Sequence, residues 1–220
     1  MKTMRMFFAT ALVAVVASVA IAQGPPAGGQ GGAPPAGGGQ GRGGGGGGRG
    51  GGGGRGGGGA GGISPLMNIT VAGYEDGAMM PAKYAGRGAV SPAISWTPIP
   101  MGTQAFAIIF HDMEVALASG TEDVLHWMVW DIPPTATGLP EGVAAGDLPD
   151  GTRQGRGITG QNAYFGPGPP APRTHHYVFE VYALNAKLGL PPTATRAEVL
   201  AAMVGKVVGK GVYVGRYKAP

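Results

Sequence analysis

Short runs of β-branched and aromatic residues, each bounded by Gly, Pro or Asp, recur along the chain after residue 62. Residues 69–72 and 93–96 are weak strand candidates of this kind. Strands at such short spacing predict two antiparallel sheets packed face to face as a β-sandwich. Four stronger runs predict β-strands at 104–110 (QAFAIIF), 125–132 (LHWMVWDI), 176–184 (HYVFEVYAL) and 207–217 (VVGKGVYVGRY).

One segment near the C-terminus carries a helix signature. Thr195 and Glu198 form a capping-box pattern in front of AEVLAAMV, and Gly205 follows as a helix stop. The predicted fold class is therefore mostly β, a two-sheet antiparallel β-sandwich with one or two peripheral helices. Residues 133–172 are rich in Pro and Gly and are expected to hold at most one short strand. Loops of that length inside a domain are usually functional or disordered.

The beginning of the chain has the pattern of a secretory signal peptide. Lys2 and Arg5 precede an apolar run over 6–22, which ends in the small-x-small sequence Ala-Ile-Ala before Gln23. We expect cleavage after residue 22, an exported protein that is periplasmic or secreted, and no stable membrane insertion afterwards. The alternative is an uncleaved anchor, although a run of 17 residues is at the lower limit for crossing a bilayer.

A glycine-rich tract follows at 23–62. It holds 26 of the 46 glycines of the chain, three arginines, and almost nothing that could enter a core. Because glycine loses the most backbone freedom on folding, the tract is predicted to be a disordered linker. Arg-Gly repeats also occur in tails that bind single-stranded RNA, but this tract has no interleaved aromatic residue. We therefore expect a tether or a tolerated repeat expansion, and no nucleic-acid partner.

Charge and composition narrow the function classes of the remaining domain at 63–220. This domain carries 11 Lys and Arg against all 12 acidic residues of the chain. The net charge of +4 therefore arises from the leader and the tract, and it is not a nucleic-acid signal of the domain. The absence of Cys excludes disulfides, thiol nucleophiles, Cys-ligated zinc and a lipidated N-terminal cysteine. A domain of this size can bury a stable core without a metal.

All four histidines of the chain lie near strand ends or beside the long loop: His111, His126, His175 and His176. An imidazole is costly to bury without a partner, so this grouping predicts a shared polar pocket. The glycines of FGPGPP at 165–170 would let backbone N–H groups approach an anion there. Three histidines and an aspartate could instead bind zinc or copper, but no short-range spacing such as H-E-x-x-H occurs.

Three spaced motifs resemble the signatures of the phosphatidylethanolamine-binding protein (PEBP) family, in its bacterial Raf-kinase-inhibitor-like branch. They are HDMEVA at 111–116, LHWMVWDIP at 125–133 and YFGPGPPAPRTHHYVFEVYAL at 164–184. The resemblance covers nearly all of 63–218 and neither the leader nor the glycine tract. It implies a PEBP-like domain at 63–220 with the same β-sandwich fold.

The resemblance also implies a small anion pocket and assigns its residues by position. In the family, the pocket uses the first acid of a D-P-D-x motif, the His of an H-W strand, the glycines of G-x-G-P-P, and the His and Tyr of an H-x-Y strand. The implied partner is a phosphate-bearing small molecule or lipid head group, and some members inhibit kinases or proteases by binding. No catalytic residue, metal or cofactor is assigned. The matching ligand-binding positions are Asp112, His126, Gly166, Gly168, His175 and Tyr177.

The sequence departs from the family pattern at the rim of this pocket. Met113 and Glu114 stand where the family usually has Pro and Asp, Thr174 replaces a common proline, and His176 stands where animal members often have Arg. The six pocket positions stay intact. The departures concern the shape of the rim and therefore ligand preference.

Two functions remain open for this pocket. The first is an exported protein that binds a phosphate-bearing ligand without turning it over, possessing regulatory or inhibitory activity through binding alone. In that case Asp112 would hold an imidazole in its donating tautomer, and anion affinity should increase below about pH 6.5. The alternative is a hydrolase that uses His126 or His175 with Asp112 as an acid-base pair. No serine of the domain lies in a G-x-S-x-G context.

Overall fold

The computed structural model describes residues 65–220. The predicted signal peptide at 1–22 and the predicted linker at 23–62 lie outside the described residues. Among residues 65–220, no helix combines the length and the apolar character needed to cross a bilayer.

The strands of residues 65–220 form two antiparallel sheets. The larger sheet has the strand order β6-β4-β3-β7-β8, and the smaller sheet has the order β1-β2-β5. Short 3-10 helices at Ala82–Tyr84 and Leu117–Ser119 lie in the connections. The elements are β1 (Asn68–Val71), β2 (Ile94–Thr97), β3 (Ala105–Asp112), β4 (Val124–Ile132), β5 (Gly138–Leu139), β6 (Arg153–Gln154), β7 (Thr174–Leu184), α1 (Arg196–Met203) and β8 (Val207–Lys218).

The large sheet is covered on both faces, which explains why every residue of its central strand β3 is buried. One face packs against the small sheet. The core on that side contains Trp96, Phe106, Phe110, Trp127 and Phe179. The opposite face packs against helix α1 and includes Ile109, Met128, Trp130, Val199 and Met203.

Helix α1 has the boundaries that its capping residues predict. The Thr195 hydroxyl accepts a hydrogen bond from the Glu198 backbone N–H, and the Glu198 side chain accepts one from the Thr195 backbone N–H. Gly205 follows the helix with φ of 76°, a left-handed conformation that suits glycine. The capping box and the glycine stop therefore define this element as predicted.

The predicted sandwich, its six strands and its peripheral helix are confirmed. The long passage at 133–172 was predicted to hold at most one short strand, and this is wrong. It holds two, β5 and β6, each of two residues. Strand β5 pairs with β2 and strand β6 pairs with β4. A strand of two residues is too short to produce an alternating apolar pattern, so only pairing with a longer neighbour reveals it.

Candidate functional site

The end of β3 and the beginning of β7 bring a carboxylate, an imidazole and a phenol to one face of the large sheet. Asp112 pairs directly with Tyr177 across the two strands, and His175 lies two residues earlier on β7. Because side chains alternate along a strand, His175 and Tyr177 point to the same face. One Asp112 oxygen lies 2.8 Å from Nδ1 of His175, and the other accepts the Glu114 backbone N–H at 3.0 Å. Asp112 and His175 are both buried.

A β-bulge brings His126 to this same face. The consecutive β3 residues Phe110 and His111 pair with Trp127 and Leu125, so His126 is the extra residue of the bulge. Regular alternation would place His126 and Trp127 on opposite faces. Instead, Trp127 lies in the core between the sheets, and the His126 ring lies 5.2 Å from the ring centroid of Tyr177. A bulge can redirect a side chain in this way.

The Phe165 residue orients the His126 ring. Nδ1 of His126 lies 2.9 Å from the Phe165 carbonyl oxygen, and the two rings stack at a centroid distance of 5.4 Å. A carbonyl oxygen can only accept, so Nδ1 carries the proton. Burial lowers the pKa of His126, since a charged ring is poorly solvated there, although the Phe165 carbonyl acts in the opposite direction.

The tautomers of both rings decide which atoms are left for a ligand. In each ring Nδ1 donates, to Phe165 in the case of His126 and to Asp112 in the case of His175. Within residues 65–220, Nε2 of these two rings has no hydrogen-bond partner. A neutral ring therefore presents an accepting lone pair on Nε2, and only the protonated ring donates from that atom. The expected donation of two N–H groups to an anion thus requires protonation of the imidazoles.

The two glycines of the predicted pocket have different structural roles. Gly166 is buried, and a Cβ atom at this position would lie 2.4 Å from the Tyr84 carbonyl oxygen. Gly168 is exposed, and no heavy atom outside its chain neighbours would lie within 4 Å of a Cβ there. The Gly168 backbone N–H lies 3.3 Å from the Tyr177 hydroxyl oxygen. The first glycine is thus needed for packing, and the second presents an open backbone N–H.

Tyr177 connects the glycine segment to the rest of the group. Its hydroxyl oxygen accepts the Gly168 N–H, and its ring centroid lies 6.4 Å from that of His175. Burial first, and then the nearby Asp112 carboxylate, raise the pKa of Tyr177 well above its usual value. The phenol therefore remains protonated and can donate a hydrogen bond. Of the six predicted site residues, Asp112, His126, Gly168, His175 and Tyr177 form one group, and Gly166 packs beneath them.

The four histidines do not share one pocket, which corrects the prediction from their grouping. His111 follows Phe110 on β3 and faces the helix side of the sheet, where its Nδ1 lies 2.5 Å from Asp123. His176 is exposed, and its Nδ1 lies 2.5 Å from Glu114. Adjacent residues on a strand point to opposite faces, so neighbouring positions such as 111 and 112, or 175 and 176, serve different environments.

Phe165 is the residue of this site that sequence reasoning missed. Its carbonyl and its ring both contact His126, but neither contact leaves a signal in residue type alone. Its position directly before the glycine segment was the available indication. No serine supplies a nucleophile to the group: within residues 65–220, no serine hydroxyl bonds to a histidine, and the buried Ser91 hydroxyl accepts the Val143 backbone N–H.

A metal ion would find a different ligand set from the three histidines and aspartate considered above. Within residues 65–220, one group of side chains could hold a metal: Asp112, Glu114 and His175, whose donor atoms lie within 4.8 Å of one another. Two carboxylates and one imidazole favour a borderline or hard cation over copper(I). These donors already bond to each other or to His176, so the arrangement is complete without an ion.

The family model described as phosphatidylethanolamine-binding protein matches residues 70–218. The chain belongs to this family. That span contains the whole of both sheets except the first two residues of β1, and all six residues of the candidate site.

Relatives and solved structures agree with this membership. A UPF0098 protein of Methanothermobacter thermautotrophicus is 38% identical over 154 residues, which are 69% of this chain and 99% of the relative. A UPF0098 protein of Aquifex aeolicus is 35% identical over 156 residues, 70% of this chain and 89% of the relative. The crystal structure of Escherichia coli YbcL, a member of the PEBP family, is similar with a TM-score of 0.62 and 27% identity, covering 70% of this chain and 99% of YbcL.

Proposed function

We propose that this PEBP-family domain binds a phosphate-bearing small molecule or head group at the group formed by Asp112, His126, Gly168, His175 and Tyr177, without turning it over. The observation that carries the proposal is the convergence of hydrogen-bonding atoms from three separate chain segments. These atoms are Nε2 of two buried imidazoles, a protonated phenol and an open backbone N–H. The family name supports a ligand of this class.

The protonation of the rings favours phosphate over other oxyanions near neutral pH. A phosphate monoester carries oxygens that accept from the Gly168 N–H, and its monoanion also carries a P–OH group. That hydroxyl can donate to the Nε2 lone pair of a neutral imidazole. Sulfate has no such proton, so it requires an imidazolium ring. Asp112 would repel either anion, and its role is to orient His175 and to stabilise the protonated form of that ring.

The proposal includes export, as the leader predicts. The apolar run at 6–22 and the small-x-small ending support it, and one relative, LppC of Mycobacterium tuberculosis, has a name that describes it as a lipoprotein. That relative is 33% identical over 147 residues. An exported binding protein could act as a regulator or an inhibitor through binding alone. Mass spectrometry of the mature protein tests the export proposal, because a chain that retains Met1 contradicts cleavage.

Titration calorimetry with inorganic phosphate and sulfate, at pH 7.5 and pH 5.5, tests the binding proposal. Phosphate should bind at both pH values, and sulfate affinity should increase at least several-fold at the lower pH. The rise reflects protonation of His126, whose pKa lies below its ordinary value because of burial. His126→Asn keeps a donor for the Phe165 carbonyl and removes the titration, so it should abolish the sulfate increase. His176→Asn, at the exposed histidine, is the matched control.

The same proteins distinguish binding from hydrolysis. The His175–Asp112 pair has the geometry of an oriented base, which is the one observation that favours a hydrolase. Turnover of p-nitrophenyl phosphate that disappears in both His126→Asn and Asp112→Asn would replace the binding proposal with the enzymatic one. Failure of wild-type protein to bind either anion at either pH would refute the pocket itself.

A further inference from the structure

A groove lies directly beside the proposed anion site, on the far side of Phe165. Its volume is about 550 Å³, and its walls come from the segment at 87–89 and the segments at 158–161 and 164–165. Phe165 belongs to both places, because its ring stacks on His126 and also lines the groove. The groove is therefore continuous with the proposed site through one side chain.

The loop that forms the opposite wall of the groove is tied to the glycine segment. The Gly86 backbone N–H donates to the Pro167 carbonyl at 2.7 Å, and the Tyr164 hydroxyl donates to the Tyr84 carbonyl at 2.8 Å. Gly166 lies against the backbone of Tyr84 with no room for a Cβ. These contacts hold the two walls at a set distance from each other, which makes the groove a preformed feature of the fold.

The charge of the groove suits an anionic ligand. Arg87 is the charged residue among its lining residues, and no acidic residue lines it. Arg87 is exposed, and the salt bridges of residues 65–220 do not involve it. The cavity on the other side of the site, which His175 lines, contains both Glu114 and Arg173. The cation without an acid distinguishes the Phe165 side as the direction in which an anionic ligand extends.

The surface of the groove is apolar and aromatic beside that cation. Ile158 is 50% exposed, although it lies in a loop that is otherwise polar, and the rings of Tyr164 and Phe165 complete this wall. Aromatic rings and a guanidinium favour a flat aromatic group, through ring stacking and through the attraction of a cation to a π-face.

We propose that this groove, lined by Arg87, Ile158, Tyr164 and Phe165, is a second subsite that takes the aromatic group of an aryl phosphate monoester. The inference rests on the proposed function, because the phosphate of such a ligand would occupy the site around His126. It adds the organic part of the ligand, which the six predicted residues leave undefined. Inorganic phosphate would then fill only part of the complete binding surface.

Calorimetry with three probes tests the subsite: inorganic phosphate, phenyl phosphate and cyclohexyl phosphate. Phenyl phosphate should bind about tenfold more tightly than inorganic phosphate, which is the effect of one well-packed aromatic contact. Cyclohexyl phosphate has a ring of similar size without a π-face and should fall between the two. Arg87→Gln and Ile158→Ala should each reduce the advantage of phenyl phosphate and leave inorganic phosphate affinity unchanged.

Matched controls exist for both substitutions. Arg173→Gln removes the exposed arginine of the other cavity, and Ile99→Ala removes an isoleucine that is 40% exposed elsewhere. Neither control should alter the ratio of the two affinities. The subsite is refuted if phenyl and inorganic phosphate bind equally, or if the advantage survives in both groove variants. Equal affinity for the phenyl and cyclohexyl esters refutes the aromatic assignment. If no probe binds, the proposed function fails, and this subsite fails with it.

Discussion

Substitution of the two site glycines by alanine should have opposite consequences for stability and for binding. In Gly166→Ala, the new methyl group would lie 2.4 Å from the Tyr84 carbonyl oxygen and 2.8 Å from the Ala85 Cα. Both are backbone atoms that cannot rotate away, so the loop at 84–89 must shift. In Gly168→Ala, the methyl group would meet no heavy atom within 4 Å. It would instead cover the open side of the Gly168 N–H.

The size of each effect follows from these contacts. Overpacking by one methyl group against fixed atoms costs about 1–3 kcal/mol of unfolding free energy. For a domain of this size, 1 kcal/mol corresponds to roughly 2–4 °C in melting temperature, so Gly166→Ala should melt about 2–12 °C below wild type. Gly168→Ala should stay within about 0.5 kcal/mol of wild type, as surface substitutions usually do. Its affinity for phosphate should fall at least several-fold.

Thermal unfolding by circular dichroism and phosphate calorimetry on the same preparations check both expectations. Wild-type melting of Gly166→Ala would refute the packing role of Gly166. An equal loss of stability in both variants would show that the glycine segment acts as one strained unit, contrary to the contacts described here. Unchanged phosphate affinity in Gly168→Ala would remove the backbone N–H from the binding site.

Three further substitutions test individual contacts. Tyr177→Phe removes the hydroxyl that contacts the Gly168 N–H at 3.3 Å, and phosphate affinity measured by calorimetry should fall by about three- to tenfold, the effect of one hydrogen bond; an unchanged affinity would exclude the phenol from the site. Trp127→Phe leaves the side-chain oxygen of the fully buried Gln154 without its 2.7 Å donor, so the midpoint of urea unfolding should fall by an amount equivalent to about 1–3 kcal/mol; a midpoint equal to wild type would contradict this. Thr195→Ala removes the N-cap of α1 and should cost about 1 kcal/mol in the same assay, whereas Thr195→Ser should be close to neutral.

The parts of the fold that were predicted correctly are those whose signals lie within a few residues of each other. The strands β3, β4, β7 and β8 are long enough to show β-branched and aromatic runs, and α1 carries its own cap and stop. The strands β5 and β6 depend on partners that are distant in the chain, and no local pattern marked them.

The candidate site was predicted through family resemblance, and its geometry needed the structure. Residue types alone suggested that all four histidines share a pocket, but alternation along β3 and β7 separates His111 and His176 from the others. The bulge in β4 acts in the opposite way, because it brings His126 to the face that regular alternation assigns to only one of two neighbours. Neither effect is visible without the strand register.

Short-range interactions are encoded in consecutive residues, and for this reason the chain itself determines its strand runs, its capped helix, the secretory pattern of its leader and the glycine content of its tract. Long-range pairing decided the rest. Which nitrogen of His126 faces a ligand depends on a carbonyl 39 residues away, and the need for glycine at position 166 depends on the backbone of Tyr84. Such contacts arise only when distant segments pack together, because the free energy that selects them comes from the assembled core and not from any local stretch of sequence.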